Sequence, residues 1–470
     1  MTITPSATPG PTRRIAEFAA DLDYLQLPAT VQTALQGFLL DYLRVASVGE
    51  RMEWSDWARI YAQQTAAPGN APVLFASAPV DPVSAAFMNT VYAGSLDADD
   101  VHVGAMLHPG CIVFSAALAI GQAQRLPGHR VLAAVAAGYE AMIRIALAIQ
   151  PSHFKRGFQS TSTCGVFGAA VAASALLSNG ADRATRIGES IGLGASFCGG
   201  LTQFYHSGST VKRIHAAQAA SSGVRAAMLV NSGFSGPIDI LEGKDGFARA
   251  YADAVDFDRL SDGLGRDFRL LEVAIKPHAC SARVQSAIEA ASMVCRDHGI
   301  APDRIRRVRL GIPTVIQGRL TSNRPGDLQA AQMSAPFSVA LALHQQAGPA
   351  AALNVDDFEA GLANQAVMAL TARVNCVVDP EVERTSTSES VSARVTVMLD
   401  DGNELSTFVL APKGSASRPF SMADHEARAR AELGRRYSGA KLDGLMSMLS
   451  DFSEVNDVTA MAAWLDHSAR

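Results

Sequence analysis

The feature that most constrains this chain is a change of hydrophobic period near Glu272. From residue 13 to about 270 apolar residues return at helical spacing, run after run. Val31, Leu35, Leu39, Leu40 and Leu43 follow Pro28 in this way, and Asp81-Pro82 caps a further run through Ala85, Ala86 and Met88. Leu126-Pro-Gly128 reads as a turn, and Val131, Ala134, Ala137, Ala141 and Ile145 form the next helical stripe. Residues 165–177 are mostly Gly, Ala, Val and Ser, which suits an interior helix approached closely on several sides. Residues 182–194 and 211–230 continue the pattern. Beyond Glu272 the period falls to two. Arg307-Val-Arg-Leu-Gly-Ile312 alternates like a half-buried strand, and residues 391–399 do so more clearly. Asp401-Gly402 and the returning run 404–410 complete a β-hairpin. Two helical segments, 281–298 and 330–346, accompany these strands. After Pro412 a polar helical pattern resumes, with Met422-Ala-Asp424 as a start. The predicted fold is therefore mainly α: a large all-helical domain, residues 1–272 and 410–470, with a smaller α+β domain inserted at 273–409.

Composition fits and narrows this. Hydrophobic residues make up 48% of the 470 and charged residues 18%, enough apolar material for large cores. A net charge of -5 gives no reason to expect nucleic acid or an anionic membrane as partner. No run reaches the ~18 uninterrupted apolar residues of a membrane helix. The opening residues 1–11 are polar and lack the apolar core of a secretory signal. The six cysteines are far apart, with no CxxC and no zinc or iron–sulfur spacing. Reduced thiols, a cytoplasmic location and no metal are expected.

Four polar segments interrupt the apolar background. The first, residues 95–110, packs Asp97, Asp99, Asp100, His102 and His108 together, and Pro109 then opens an apolar helix. Asp and His together can move protons near neutral pH, and a helix start gathers anions. The bland alternative is a capped helix behind a solvated turn. The second, Gly157-Phe-Gln-Ser-Thr-Ser-Thr-Cys-Gly165, offers Ser160, Thr161 and Thr163 as N-caps, or as partners for an anion. The third, residues 207–215, puts Lys212 and His215 three apart on one helix face, either to hold a carboxylate or with the lysine snorkelling. The fourth, residues 274–285, sets Lys276, His278, Cys280, Arg283 and Gln285 at a domain boundary, where ligand sites concentrate and where plain linkers also lie.

In this order the four segments resemble the MmgE/PrpD family, which includes 2-methylcitrate dehydratase, cis-aconitate decarboxylase and iminodisuccinate epimerase. The resemblance rests on Asp97-Ala-Asp-Asp-Val-His102 with His108-Pro109, on Gly157-Phe-Gln-Ser-Thr161 with Gly165-Val-Phe-Gly-Ala-Ala170, and on Lys212-Arg-Ile-His215 with Ala219-Ala220. Gly233-Phe-Ser-Gly-Pro237, Leu241-Glu-Gly-Lys-Asp-Gly-Phe247 and Asn323-Arg-Pro325 extend it. It implies an all-helical domain plus an α+β lid with the site in the cleft between them, a homodimer, and no cofactor. Asp97, His108 and Lys212 match positions that line the family's active site. Val101, Gln159 and Gln285 depart from the family's Thr and two His. A glutamine can hydrogen-bond a carboxylate but cannot carry a proton.

The resulting expectation is an enzyme that removes a proton beside a carboxylate of a small di- or tricarboxylic acid, first a dehydratase. His108 is the expected acid or base, Asp97 its orienter, Lys212 the carboxylate or enolate clamp, and His102, His278 or Lys212 the second proton carrier. Gln159, Thr161, His215, Lys276, His278 and Gln285 are expected to bind substrate. An epimerase or a catalytically impaired binding homologue are the alternatives.

Overall fold

The computed structural model describes residues 9–204, 209–345, 352–387 and 390–466. Ser207 and Gly208 of the third polar segment, Gln346 at the end of a predicted helix, and residues 1–8 lie outside the described residues. The chain divides into two compact units: residues 1–95, 99–273 and 421–470 form unit 1, and residues 96–98 and 274–420 form unit 2.

Unit 1 is helical. Ala29–Gly49 begins after Pro28, and Pro82–Gly94 begins on an Asp81 carboxylate that accepts from the Val83 and Ser84 N–H groups, the cap its sequence predicts. Gly110–Ala123, Gly128–Ile149 and Ser160–Leu177 are buried along most of their lengths, and Lys212–Asn231 packs against Ser160–Leu177 and Pro82–Gly94. The Gly/Ala composition is what permits this. A Cβ on Gly223 would lie 2.4 Å from the Ala169 Cβ and 2.5 Å from the Val166 carbonyl oxygen, so these two helices meet backbone to backbone. Met422–Leu433, which packs on Ala29–Gly49, starts with a capping box between Ser421 and Asp424.

By length and composition Gly128–Ile149 and Ser160–Leu177 would each be apolar enough to cross a membrane, but 94% of the 18-residue apolar stretch of each lies buried inside the protein as core helix. The first also carries a buried ion pair. Arg144 Nε donates to Glu140 at 2.8 Å, and its remaining nitrogens donate to the carbonyls of Asp262 and Asp267, both at 2.6 Å. The other Glu140 oxygen takes the Leu270 N–H at 2.8 Å. Each side-chain nitrogen and oxygen of this pair has a hydrogen-bond partner, the condition under which a buried pair is tolerated.

Unit 2 is α+β. With β1 (Pro68–Ala71) a short strand of unit 1, the sheet of unit 2 comprises β2 (Ile305–Ile312), β3 (Val374–Val378), β4 (Ala393–Leu399) and β5 (Glu404–Val409) in the order β3-β2-β4-β5. β4 and β5 are the predicted hairpin, closed by a bond from the Gly402 N–H to the Leu399 carbonyl. β2 pairs antiparallel with β4, placing Val308 opposite Val397, and parallel with β3, placing it beside Val374. The parallel pair needs a long crossover, supplied by a helical stretch that includes Ala335–Gln345 and Val355–Ala363. Gln285–His298 covers β4 and β5, and Ile288, Val294, Leu310, Phe337, Leu341, Phe358 and Val395 share one core. Residues 410–420 stay with this sheet unit, where the Ile275 N–H bonds the Gly414 carbonyl at 2.8 Å.

Candidate active site

In unit 1 the site grows from the first polar segment. His102 and Leu107 form a two-bond bridge that folds residues 102–107 into a tight turn, with Met106 in the left-handed region at φ 55°. The turn delivers His108 and Pro109 to the start of Gly110–Ala123. Pro109 stands at the N-cap, one position earlier than the expected first helical residue.

His108 is held at three points. Its backbone N–H donates to Thr161 Oγ1 at 3.2 Å. Its Nδ1 lies 2.8 Å from the Asp100 carbonyl oxygen and 3.3 Å from Asp99 Oδ2. A carbonyl oxygen only accepts, so Nδ1 carries the hydrogen and Nε2 of the neutral ring carries the lone pair. Nε2 has no hydrogen-bond partner among the described residues, and the side chain keeps 20% of its exposure. The geometry is that of a general base backed by a carboxylate.

The support behind this base was not among the expected site residues. Asp100 is fully enclosed: Oδ1 accepts the Gly110 N–H at 2.8 Å and Oδ2 accepts the Tyr139 hydroxyl at 2.7 Å. Burial pushes its carboxyl up to about 7; the Tyr139 bond opposes this and the neighbouring Asp99 charge adds to it. Burial, with Asp100 beside it, also drives the Tyr139 hydroxyl well above its ordinary value. Asp99 and the Asp100 carbonyl both hold the imidazole at Nδ1.

His102, expected as a proton carrier, has both ring nitrogens in hydrogen bonds. Its Nδ1 accepts the Ala105 N–H at 3.1 Å, which leaves the Nε2 hydrogen to donate to Glu272 Oε2, also at 3.1 Å. Burial would raise the Glu272 carboxyl, but hydrogen bonds from His102 and Arg269 hold it below its usual value. The Ala105 bond closes the turn and the other ties it to Glu272.

Gln159 also changes role. Its side-chain oxygen accepts the Ser162 N–H at 2.7 Å, making it the N-cap of Ser160–Leu177. Ser160, Thr161 and Thr163, read as caps, lie instead in the first turn. Thr161 binds the His108 backbone, and Thr163 hydrogen-bonds the buried His153 at 2.8 Å. Lys212 opens its helix half-buried, at the predicted spacing from His215. Burial, and then the Lys212 charge, lower the His215 ring. His215 is buried, with the edge of Phe204 against it and its Nδ1 unpartnered.

Unit 2 holds the other half of the predicted residues. Lys276 Nζ donates to the Asp97 carbonyl at 2.6 Å and to its carboxylate at 2.8 Å. Asp97 is left-handed at φ 57°, a conformation costing of order 1 kcal/mol that persists where surrounding bonds dictate it. Gln332 completes the clamp, its amide donating to the carbonyls of Leu96 and Ala279 at 2.7 and 2.8 Å. His278 Nδ1 accepts the Leu353 N–H at 3.0 Å, so its hydrogen sits on Nε2. Gln285, expected to bind substrate, clips its own loop together. Its oxygen takes the His278 N–H, and its nitrogen donates to the carbonyls of His278 and Cys280, each at 3.1 Å. Burial, then the Asp97 carboxylate, push the Cys280 thiol far up, so it is no nucleophile.

Comparison with known proteins agrees with these motifs. The MmgE/PrpD N-terminal domain matches residues 13–260 and the MmgE/PrpD C-terminal domain matches residues 278–447. A cis-aconitate decarboxylase-like protein of Aspergillus oryzae is 26% identical over 444 residues, 88% of this chain and 89% of the relative. The cis-aconitate decarboxylase of Aspergillus terreus is 26% identical over 436 residues, 87% and 86% of the two chains. That of Homo sapiens is 25% identical over 400 residues, 82% and 79%. The two domain matches cover most of the sequence, and the chain belongs to the MmgE/PrpD family.

Proposed function

We propose that this protein is a cofactor-independent lyase for a small di- or tricarboxylic acid, first a dehydratase, with His108 as its proton carrier. The observation that carries the reading is the His108 tautomer: Nδ1–H tied to the Asp100 carbonyl and Asp99, Nε2 left with its lone pair. Nε2 takes the proton from the carbon beside a substrate carboxylate. The C–H electrons form the new double bond as the C–O bond breaks. The imidazolium, held by Asp99, returns the proton to the departing hydroxyl, which leaves as water. Lys212 supplies a cation for a substrate carboxylate.

One carrier that collects a proton and hands it on suits an elimination, whereas epimerisation calls for carriers on both faces of the carbon. Gln159, Gln285 and His102 are spent on structural bonds, which favours the elimination. The names of the relatives favour a second reading, decarboxylation of a cis-aconitate-like acid, with the imidazolium protonating the carbon that loses CO₂. The two units are read as a helical domain with an inserted α+β lid, and the assembly as a cytoplasmic homodimer, which light scattering on the purified protein tests.

The deciding experiment incubates the protein in D₂O with a panel of citrate-like and aspartate-like acids, followed by NMR. The expected result is an unsaturated, dehydrated product, with deuterium entering the carbon beside a carboxylate of the remaining acid as the reaction runs back in D₂O. His108→Ala should lower turnover ~10²–10⁴-fold, the usual loss for a general acid–base group. Release of CO₂ moves the assignment to the decarboxylase, and inversion without loss of water moves it to an epimerase. Near-normal turnover in His108→Ala removes the base assignment altogether.

A further inference from the structure

Behind His108 lies a buried hydrogen-bond chain that the proton transfer itself does not use. We propose that Tyr139 and the Asp100 side chain act as a positioning brace, fixing the Asp100 peptide so that its carbonyl locks His108 in the Nδ1–H tautomer. The inference rests on the reading of His108 as the proton carrier.

The geometry runs from one core helix to the ring. Tyr139 sits in the middle of Gly128–Ile149, fully buried, stacked on Phe38 at 5.5 Å and edge-on to Phe114 at 6.1 Å. Its ring has nowhere to turn, so its hydroxyl is a fixed point. That hydroxyl binds Asp100 Oδ2, and the Gly110 N–H binds Oδ1, so the carboxyl is pinned from both sides. The backbone of the same residue presents the carbonyl that receives the His108 Nδ1–H at 2.8 Å. Asp99 alone would not fix the tautomer so firmly, because its oxygen is 3.3 Å away.

The packing is cut to this chain. A Cβ on Gly110 would lie 2.6 Å from the Tyr139 hydroxyl and 2.8 Å from Asp100 Oδ2. Only glycine leaves room for the bond at that position. The brace is also indifferent to the proton on Asp100. A tyrosine hydroxyl donates to a carboxylate and accepts from a carboxylic acid. With the Asp100 carboxyl raised to about 7, both forms are populated near neutrality and both keep the bond. A phenylalanine can do neither.

The test uses full-length Tyr139→Phe, Asp100→Ala and Asp100→Asn, each checked for folding by circular dichroism. Two readouts are taken. One is the ¹⁵N shifts of the His108 ring, which report the tautomer without any substrate; the other is kcat and KM on the acid found in the panel. Tyr139→Phe and Asp100→Ala should turn His108 into a tautomer mixture. They should lower kcat about tenfold, short of the ~10²–10⁴ expected for loss of the base, with KM little changed. Asp100→Asn should rescue both readouts, since its amide accepts from Gly110 and donates to Tyr139. A single Nδ1–H tautomer and unchanged kcat in Tyr139→Phe overturn the brace, as does failure of Asp100→Asn to rescue a folded protein. If the tautomer shifts as described but no acid exchanges deuterium in the wild type, the brace stands and the lyase reading falls.

Discussion

The sharpest stability prediction concerns Asp100→Asn. Asp100 holds a carboxyl whose value rises from 3.8 to about 7 on folding, because burial outweighs the bonds from Tyr139 and Gly110 and because Asp99 and Asp41 add repulsion. The other ionisable groups in this cluster are Tyr139, Cys111 and His108. A group whose value is raised on folding favours the folded state fully when protonated, and that contribution is lost as pH rises from the unfolded value to the folded one. At about 1.4 kcal/mol per tenfold change in proton affinity, the rise corresponds to about 4 kcal/mol, an upper figure for a site this enclosed. Asparagine keeps both hydrogen bonds and removes the charge. Relative to the wild type, the variant should therefore gain stability steadily between pH 4 and 8, by about 2–4 kcal/mol in all. Urea unfolding of both proteins at pH 4, 5, 6, 7 and 8 measures this. The slope is the test, since a constant offset reflects only the imperfect match of amide to acid. A flat difference, or a variant that loses ground at pH 8, would show that Asp100 is not the buried titrating group described.

Three further outcomes follow from the same bonds. Lys276→Met leaves the Asp97 carboxylate buried without its cation and releases the left-handed Asp97 peptide. Unit 2 should lose about 3–5 kcal/mol by denaturant unfolding, and a loss under 1 kcal/mol would mean the pair is effectively solvated. Gln285→Ala strands the His278 N–H that its amide oxygen accepts. It should cost about 1–3 kcal/mol of unit 2 stability while leaving the affinity for a bound acid within a factor of two, and a large drop in affinity would restore Gln285 as a ligand. His153 is lowered to about 4 by burial, so the folded state loses its advantage as pH falls from 6.5 towards 4. His153→Gln, able to donate to the Tyr251 carbonyl and accept from Thr163, should flatten that fall in acid-unfolding curves.

What the sequence disclosed depended on how local the cause was. The Asp81 cap, the helix start at 422–424 and the 401–402 hairpin each arise from residues within a few positions of one another, and all three are present. β3 was missed because nothing local specifies it. Its five residues show no clean alternation, and only pairing with β2 makes Val374–Val378 a strand. Residues 96–98 join unit 2 through Lys276 and Gln332, each more than a hundred residues away, and no period announces that.

The same rule explains the site. His108 was legible because the residues that expose it are its neighbours in sequence. Tyr139 was not, although a lone tyrosine inside an alanine-rich helix carried a usable signal: its hydroxyl had to find a partner once buried. The glutamines mislead for a different reason. They stand where the family carries histidine, so substitution was read as loss within the site. An amide holds its donor and its acceptor on one carbon, close enough to grip the two ends of a single loop, as Gln285 does with the His278 N–H and carbonyl. An imidazole, whose two nitrogens point apart, cannot make that grip. Exchanging histidine for glutamine therefore substitutes a structural clip for a proton carrier. Under the proposed lyase reading, proton traffic concentrates on the histidine that remains poised, and the tautomer of His108, with whatever holds it, becomes the property on which the chemistry turns.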